Sequence, residues 1–326
     1  MRLEIIRYGI FFALWIAFGF AECESAAFDV IICGSGGEDV YSERFEDWGQ
    51  RLRTVLVDLC AHSADNVQLL TEGGEGADGV SSMDGIRNAM RNLSGRVTDR
   101  DDVFVFLIGH GSFRQQVAKR RVAKLSVPGH DLTAEDLDGF LKMFVARRVV
   151  VVNGASMSAP FVNALSHSGR IVCASTRSVE QRNATHFMGF FIQALEDGSA
   201  DQDRDERISV LEICTQASSL TDAWYLGEGF ITTENAILDD NGDGLGTRLS
   251  DIDVGDGALA SRCFLLDFRV PKGTAPELVE AYGEAIDEVQ VFVKKKTSMD
   301  SMAYYQMLET KLLKAARLNR EIRGEK

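Results

Sequence analysis

A histidine and a serine follow two separate apolar segments of the chain, and their types suit acid–base and nucleophilic chemistry. His110 and Gly111 come directly after the apolar run 103–108, and Ser156 follows the run 149–152. A histidine can act as general base for a hydroxyl within hydrogen-bond reach. The backbone N–H groups of Gly111 and of residue 156 can donate to an oxyanion. The sequence therefore predicts His110 as base, Ser156 as nucleophile and Gly111 as an oxyanion donor.

Apolar runs separated by amphipathic segments predict an α/β fold around these residues. Runs typical of strands buried on both faces occupy 28–32, 67–70, 103–108, 149–152 and 171–173. Between them, apolar residues recur every three or four positions, as in helices packed on a sheet. A polar loop is expected after the third run, followed by Thr133, which can cap one of these helices. We predict a doubly wound, mostly parallel sheet flanked by helices over residues 28–270. Because parallel strands end at one edge, His110 and Ser156 are expected at the same edge.

The two ends of the chain differ from this central part. Residues 1–27 combine early arginines, the apolar stretch 9–20 and then small residues, which is typical of an export signal. Cleavage is expected after Ala21 or Ala27, giving a periplasmic or secreted protein; an uncleaved segment would act as an N-terminal membrane anchor. Residues 271–326 carry two charged amphipathic segments and predict a C-terminal helical hairpin. No integral membrane domain is predicted beyond the signal segment.

Charge and cysteine usage exclude several classes of function. The chain has 35 basic and 49 acidic residues, a formal charge of −14, which argues against a nucleic-acid partner because phosphate binding needs clustered Lys and Arg. The cysteines lack the spacing of a zinc site or of a disulfide framework. Five cysteines follow the signal, and most of them are expected to be small buried apolar residues: Cys33, Cys60, Cys173, Cys214 and Cys263.

Several ordered motifs resemble one peptidase family. His110 precedes Ser156 by 46 residues, close to the roughly 50 that separate the catalytic His and Cys of caspases. Segments 106–112 and 153–161 resemble the two active-site segments of the legumain-type branch of the caspase-like cysteine peptidases. Further segments are similar to those of exported members of that group: 33–37, 174–178 and 183–187.

The resemblance implies a caspase-like fold, with His110 as catalytic histidine and the backbone of Gly111 and residue 156 around the oxyanion. In the family's Ala-Cys-x-Ser-Gly pattern, Ser156 replaces the Cys and Ala159 replaces the Gly. A hydroxyl needs a well-oriented base, and the sequence reveals no orienting carboxylate. We therefore predict a catalytically impaired or inactive pseudoenzyme that binds a peptide or protein ligand. The alternative is an active endopeptidase that uses Ser156 with His110 as base.

Arg177, just after the fifth predicted strand, is a candidate for binding an acidic group on a ligand.

Two acidic loops suggest a cation, and calcium is the one cofactor predicted. The first loop, 201–212, presents oxygen ligands at the spacing of an EF-hand. The candidate ligands are Asp201, Asp203, Asp205, the backbone carbonyl of Arg207, Ser209 and Glu212. Glu206 occupies the sixth position, where an EF-hand has Gly, and a polar loop with a helix cap is the alternative. The second loop is a weaker candidate, with Asp239, Asn241 and Asp243 but Ser250 at the twelfth position.

Overall fold

The computed structural model describes residues 25–115, 121–252, 255–266, 274–293, 295–296 and 299–324. The predicted export signal, 1–27, lies almost entirely outside these residues. The chain divides into two compact units. One is Ala26–Arg269, and the other contains Val270–Lys326. Within the described parts of the chain, every helix falls short of the length and apolar character that a membrane crossing requires.

The larger unit is built on a mixed sheet whose strands run mostly parallel. In chain order, the described strands of this unit, including those outside the main sheet, are β1 (Ala27–Cys33), β2 (Val67–Thr71), β3 (Gly79–Val80), β4 (Asp102–Ile108), β5 (Gly111–Gln115), β6 (Arg121–Leu125), β7 (Leu132–Thr133), β8 (Arg148–Asn153), β9 (Arg170–Ala174), β10 (Ile208–Ser209), β11 (Ile237–Asp239), β12 (Thr247–Arg248) and β13 (Phe264–Leu266). Among the described residues, the main sheet has the order β12-β11-β9-β8-β4-β1-β2-β3. The pairs from β9 through β8, β4, β1 and β2 to β3 are parallel, whereas β11 and β12 are antiparallel.

Helices cover both faces of this sheet. They are α1 (Asp39–Asp58), α2 (Met83–Ser94), α3 (Ala134–Leu141), α4 (Ala159–Leu165), α5 (Phe187–Glu196) and α6 (Val210–Gly227). Alternate residues of β1 enter two separate cores: Ile31 packs with α1, α5 and α6, and Ile32 packs with α2, α3 and α4. The strands are apolar on both faces for this reason. The predicted mostly parallel α/β fold flanked by helices is confirmed.

The segment between β4 and α3 differs from the prediction of a polar loop. β5, β6 and β7 form a small antiparallel sheet directly after His110. The predicted helix start at Thr133 is confirmed, because its hydroxyl accepts from the N–H of Asp136 in a capping box.

The C-terminal unit contains two helices, α7 (Pro276–Val293) and α8 (Ser301–Ile322). The rings of Phe292 and Tyr304 stack between them at a centroid distance of 5.4 Å. Glu288 of α7 accepts from Lys311 at 2.8 Å and from Lys314 at 2.9 Å. These contacts form a helical hairpin.

A buried ion pair lies towards the amino end of β1. His62 Nδ1 is 2.8 Å from Asp29 Oδ2, and His62 Nε2 is 2.9 Å from the carbonyl oxygen of Leu265 in β13. Because both ring nitrogens face oxygen acceptors, the bonding requires a proton on each, that is, an imidazolium. Burial lowers the pKa of His62, but the Asp29 carboxylate and these hydrogen bonds outweigh it and raise the pKa above its ordinary value. The pair therefore links β1 to the last strand of the unit.

Candidate active site

The structure brings the backbones of His110 and Ser156 to the same edge of the sheet. β4 and β8 are parallel neighbours, with Leu107 opposite Asn153, so the loops that follow them leave the sheet side by side. The N–H of Gly111 donates to Ser156 Oγ at 3.1 Å, and this hydroxyl lies 3.4 Å from the carbonyl oxygen of Gly111. A Cβ at position 111 would lie 1.9 Å from the carbonyl oxygen of Ser156, so this close approach requires glycine.

The hydroxyl of Ser156 is buried, with a residue exposure of 1%. Its hydrogen bonds are to the backbone of Gly111. Among the described residues, none joins it to the ring of His110. The hydroxyl therefore occupies the N–H of Gly111, the same group that was predicted to stabilise an oxyanion.

The ring of His110 is held by the start of α1 instead. It contacts Tyr41 and Phe45 edge to face, at centroid distances of 4.7 and 5.0 Å. It also forms a hydrogen bond with the backbone of Gly36. Aromatic packing on two sides and this bond fix the ring orientation.

The net effect of these surroundings is to keep His110 neutral near pH 7. Burial lowers its pKa and the positive charge of Arg44 lowers it further, while the Gly36 bond and Glu38 raise it by less. A neutral imidazole retains one nitrogen that can accept a proton. The ring is therefore in the right protonation state for a general base.

A network of buried hydroxyl groups supports the loop of Ser156. The N–H of Ser158 donates to Thr176 Oγ1 at 2.8 Å, and the hydroxyls of Ser158 and Ser175 lie 3.3 Å apart. Ser175 Oγ in turn donates to the carbonyl of Ala155 at 2.9 Å. Met157 has a φ of 51°, a conformation that costs free energy for a residue with a Cβ. The network holds the loop in this strained form.

The first acidic loop brings three carboxylates together. Oxygens of Asp201, Asp203 and Asp205 all lie within 4.8 Å of one another. Burial raises the pKa of Asp205 to about 7, and the charges of Asp203 and Glu212 add to this effect. Burial also raises the pKa of Glu212, together with the charges of Asp203 and Asp201. The loop therefore concentrates negative charge that a cation would compensate.

Glu212 both caps a helix and turns an unused oxygen inwards. Its Oε2 accepts from the N–H and the hydroxyl of Ser209, at 2.9 and 2.7 Å, in the capping box of α6. Its Oε1 is a buried atom without a hydrogen-bond partner among the described residues. Glu206 adopts a φ of 69°, the left-handed conformation for which glycine is preferred. Glu212 therefore caps α6 with one oxygen and keeps the other oxygen available.

The carboxylates of the second acidic loop accept hydrogen bonds from backbone N–H groups, as Asp201 of the first loop does from Asp205 and Glu206. Asp239 accepts from the N–H groups of Gly242 and Gly244, at 3.0 and 3.1 Å. Asn241 Oδ1 accepts from the N–H of Asp243, at 2.8 Å. Ser250, the twelfth position, directs its hydroxyl to Asp251. Within the described residues, three convergent carboxylates occur in the first loop and not in the second.

Comparison with known proteins gives distant likenesses. No protein-family model and no curated protein matches the chain. Protein GSU0716 from Geobacter sulfurreducens is similar in structure with a TM-score of 0.45 and 10% identity, over 69% of this chain and 98% of that one. A secreted C11 cysteine protease from Bacteroides thetaiotaomicron, solved with an irreversible peptide inhibitor, has a TM-score of 0.38 and 14% identity, over 67% of this chain and 66% of that one.

Arg44, whose charge acts on His110, was not predicted from the sequence, and neither was the environment of His186. The guanidinium carbon of Arg44 lies 5.4 Å from the ring centroid of Tyr41 and 5.9 Å from that of Trp48. Its charge lowers the pKa of both His110 and His186, in each case after burial. The ring of His186 lies over Trp224 at 3.9 Å. The sequence does indicate that Tyr41 and Arg44 are neighbours, because residues three positions apart lie on the same face of a helix.

Arg177, the predicted ligand for an acidic group, is exposed after β9. Its backbone N–H donates to Gln181 Oε1 at 2.7 Å.

Proposed function

We propose that the chain is an exported, caspase-like peptidase homologue of the legumain type that binds a peptide or protein segment without cleaving it. The observation that carries this proposal is the hydrogen bond from the N–H of Gly111 to Ser156 Oγ. Through this bond, the side chain that would have to act as nucleophile already takes up the Gly111 N–H, which an oxyanion would need. Export is supported by the pattern of residues 1–27, and the legumain type by the motifs at 106–112 and 153–161.

Hydrolysis would require two rearrangements of this arrangement. Ser156 Oγ would have to leave Gly111, and the ring nitrogen of His110 that does not bond Gly36 would have to come within hydrogen-bond reach of that hydroxyl. An unassisted serine hydroxyl is a weak nucleophile at neutral pH. Binding needs neither rearrangement.

The alternative, an active serine endopeptidase, is favoured by one specific observation. His110 is neutral and flanked by a glycine whose backbone reaches Ser156. This alternative predicts cleavage that depends on the side chains of His110 and Ser156, so an assay for peptide cleavage separates the two functions.

The chemistry around Arg44 favours a ligand that carries a carboxylate. Among the described residues, Arg44 has no ion-pair or hydrogen-bond partner, although Tyr41 and Trp48 position its guanidinium. The imidazole of His186, whose pKa is lowered by burial and by the charge of Arg44, adds a neutral N–H donor. A guanidinium pairs with a carboxylate through two parallel hydrogen bonds. We therefore assign an acidic side chain or a chain-terminal carboxylate to this surface.

The proposed function is tested with two pairs of peptides. The members of one pair differ only in having Asp or Asn, and those of the other only in having a free or an amidated C-terminus. We expect the carboxylate forms to bind at least about tenfold more tightly, since charge-assisted hydrogen bonds contribute about 1.5–3 kcal/mol. Arg44→Gln should abolish this preference, and Arg177→Gln serves as the matched control on an exposed arginine. Isothermal titration calorimetry gives the affinities, and mass spectrometry of the same samples should show intact peptide. Cleavage by the wild-type protein that is lost in Ser156→Ala would establish the alternative.

We further propose that the first acidic loop binds Ca²⁺. Convergent carboxylate oxygens are the ligands that this hard cation prefers. Asp201, Asp203 and Asp205 supply them, and the buried Oε1 of Glu212 supplies a further oxygen. Burial, together with the charges of Asp203 and Glu212, raises the pKa of Asp205 to about 7, and a bound cation would favour its ionised form.

Ca²⁺ is expected to stabilise the protein against unfolding. At a hundredfold excess over Kd, a cation bound by the native state alone adds about 2.7 kcal/mol. The effect should weaken as the pH falls below about 7, because protons then compete at Asp205. Thermal melting with Ca²⁺ and with chelator measures it, in wild type, in Glu212→Gln and in Glu206→Gln, a loop carboxylate outside the ligand set. Equal midpoints with Ca²⁺ and chelator in the wild type would rule the site out.

A further inference from the structure

The strand that follows His110 lies at the edge of its own small sheet. β5 is the first strand of the sheet β5-β6-β7, and among the described residues it pairs with β6 alone. The backbone N–H and C=O groups on the other side of an edge strand can bond a further strand. β5 has five residues, whereas the outermost strands of the main sheet have two each. β5 therefore offers more backbone to an incoming strand than either edge of the main sheet.

The pairing of β5 with β6 determines which backbone groups point to this free edge. The carbonyl of His110 accepts from the N–H of Ser126 at 2.9 Å, so the residues that lie opposite each other at this position are hydrogen-bonded. Hydrogen-bonded and non-hydrogen-bonded pairs alternate along an antiparallel ladder. The residues whose N–H and C=O groups point away from β6 are therefore Gly111, Phe113 and Gln115.

The contacts of Gly111 support this direction independently. Its N–H donates to Ser156 Oγ at 3.1 Å, and its carbonyl oxygen lies 3.4 Å from the same hydroxyl. Ser156 therefore lies alongside the free edge of β5, at the end nearest to His110. An extended chain that runs along this edge from Ser156 next meets the backbone of Phe113, which is about 7 Å further along the strand.

The two faces of the small sheet differ in chemical character. Phe113 packs against the core on the side of α2, α3 and α4. Because side chains alternate along a strand, Arg114 and its diagonal neighbour Lys124 lie on the other face. Arg114 is exposed and forms no ion pair with another described residue. Segment 111–125 contains five basic residues and no acidic one, in a chain of formal charge −14. A strand beside β5 would therefore meet positive charge, which favours an acidic sequence.

We propose that an extended acidic peptide segment binds by adding a strand to β5, beside Ser156. The peptide exchanges main-chain hydrogen bonds with Phe113 and Gln115, and it places acidic side chains on the face that carries Arg114. In strand addition, main-chain pairing supplies affinity and alternate side chains supply specificity. This inference rests on the proposed function, because it states how the peptide of that function is held.

The test uses an octapeptide of alternating Thr and Asp, acetylated and amidated at its ends, and a set of versions that each carry one backbone N-methyl group. In an added strand, every second N–H of the peptide faces β5. N-methylation at alternate central positions should therefore weaken binding about tenfold, the effect of losing one backbone hydrogen bond, and should change it little at the positions between them. Isothermal titration calorimetry measures the affinities.

Hydrogen exchange gives a second readout, on the protein itself. The N–H of Phe113 points to the free edge, whereas the N–H of Arg114 points to β6. Binding of the octapeptide should slow exchange at Phe113 and leave Arg114 nearly unchanged, as followed by NMR.

Arg114→Gln and Arg121→Gln are matched variants on the same hairpin. The guanidinium of Arg121 lies 6.0 Å from the ring centroid of Phe113, on the opposite face from Arg114. Only Arg114→Gln should weaken binding of the octapeptide, by up to about fivefold, the usual effect of a cross-strand charge pair. Both arginines are exposed, so neither substitution should disturb folding.

An equal effect of N-methylation at every position, or unchanged exchange at Phe113 in the bound protein, would overturn the proposal. Failure of the octapeptide to bind at millimolar concentration would overturn it too. Binding by Arg114→Gln at the wild-type affinity would contradict the preference for an acidic strand. The proposed function is judged separately, because its peptide pairs are compared through Arg44.

Discussion

Replacement of Ser156 by Cys is expected to create measurable peptide cleavage in a protein that otherwise binds without turnover. A thiol accepts hydrogen bonds weakly, so it would release the N–H of Gly111, which Ser156 Oγ occupies in the structure. A thiol is also partly ionised at neutral pH without a perfectly oriented base. His110 is already neutral and can accept the remaining proton. We expect single-turnover cleavage of carboxylate-bearing peptides at least about a hundredfold faster than wild type, the lower end of base-assisted catalysis.

The controls are Ser156→Ala and the double variant Ser156→Cys with His110→Ala, and neither should cleave peptide. Activity in the Cys variant that survives loss of His110 would show that the imidazole is not the base. A silent Cys variant that still binds peptide would mean that the loop, including Ala159 at the family's Gly position, blocks the reaction independently of the nucleophile.

His62→Gln is expected to lower the free energy of unfolding by about 3–5 kcal/mol, the usual cost of leaving a buried charge unpaired. The histidine side chain is 6% exposed and its partner Asp29 is fully buried, so water cannot replace the lost contact. A glutamine can donate to one of the two acceptors but carries no charge. The substitution also removes the hydrogen bond from His62 Nε2 to the carbonyl of Leu265, so β13 should be held less firmly.

The pH dependence of stability identifies the charge on His62 as the cause. Because the pKa of His62 is raised in the folded state, the charged histidine contributes its full stabilisation below about pH 6.5, the ordinary pKa of histidine in an unfolded chain. The contribution is lost as the pH rises through the folded pKa. Urea unfolding at pH 6 to 9, with chelator present, should show a decline in wild type that is smaller in His62→Gln. Parallel declines in the two proteins would assign the effect to other groups.

The parallel sheet could be predicted from the sequence because each core strand serves two cores. Val30 and Ile31 face opposite layers, so both must be apolar, and an uninterrupted apolar run results. The same argument placed the loops after β4 and β8 at one edge. Local chemistry also sufficed at Thr133, where the cap and its Asp partner are three residues apart.

The features that escaped prediction depend on contacts between distant parts of the chain. The orientation of the His110 ring is set by Tyr41 and Phe45, more than sixty residues earlier. The role of Arg44 likewise emerges only when α1 lies beside His110 and His186. The small sheet after His110 was missed although Pro128 and Gly129 mark a turn between β6 and β7, because its short strands pair with each other rather than with the main sheet.

The two edges of the main sheet limit how the protein can associate. The outermost strands, β3 and β12, have two residues each, and β12 carries the charged Arg248. Such short strands offer few free backbone groups to an incoming strand, which protects a sheet from edge-to-edge aggregation. Among the described residues, the main sheet therefore offers little backbone template to an extended ligand at either edge. Binding of the proposed peptide would then depend on side chains, loops and the small sheet after His110, and its selectivity would respond to single substitutions.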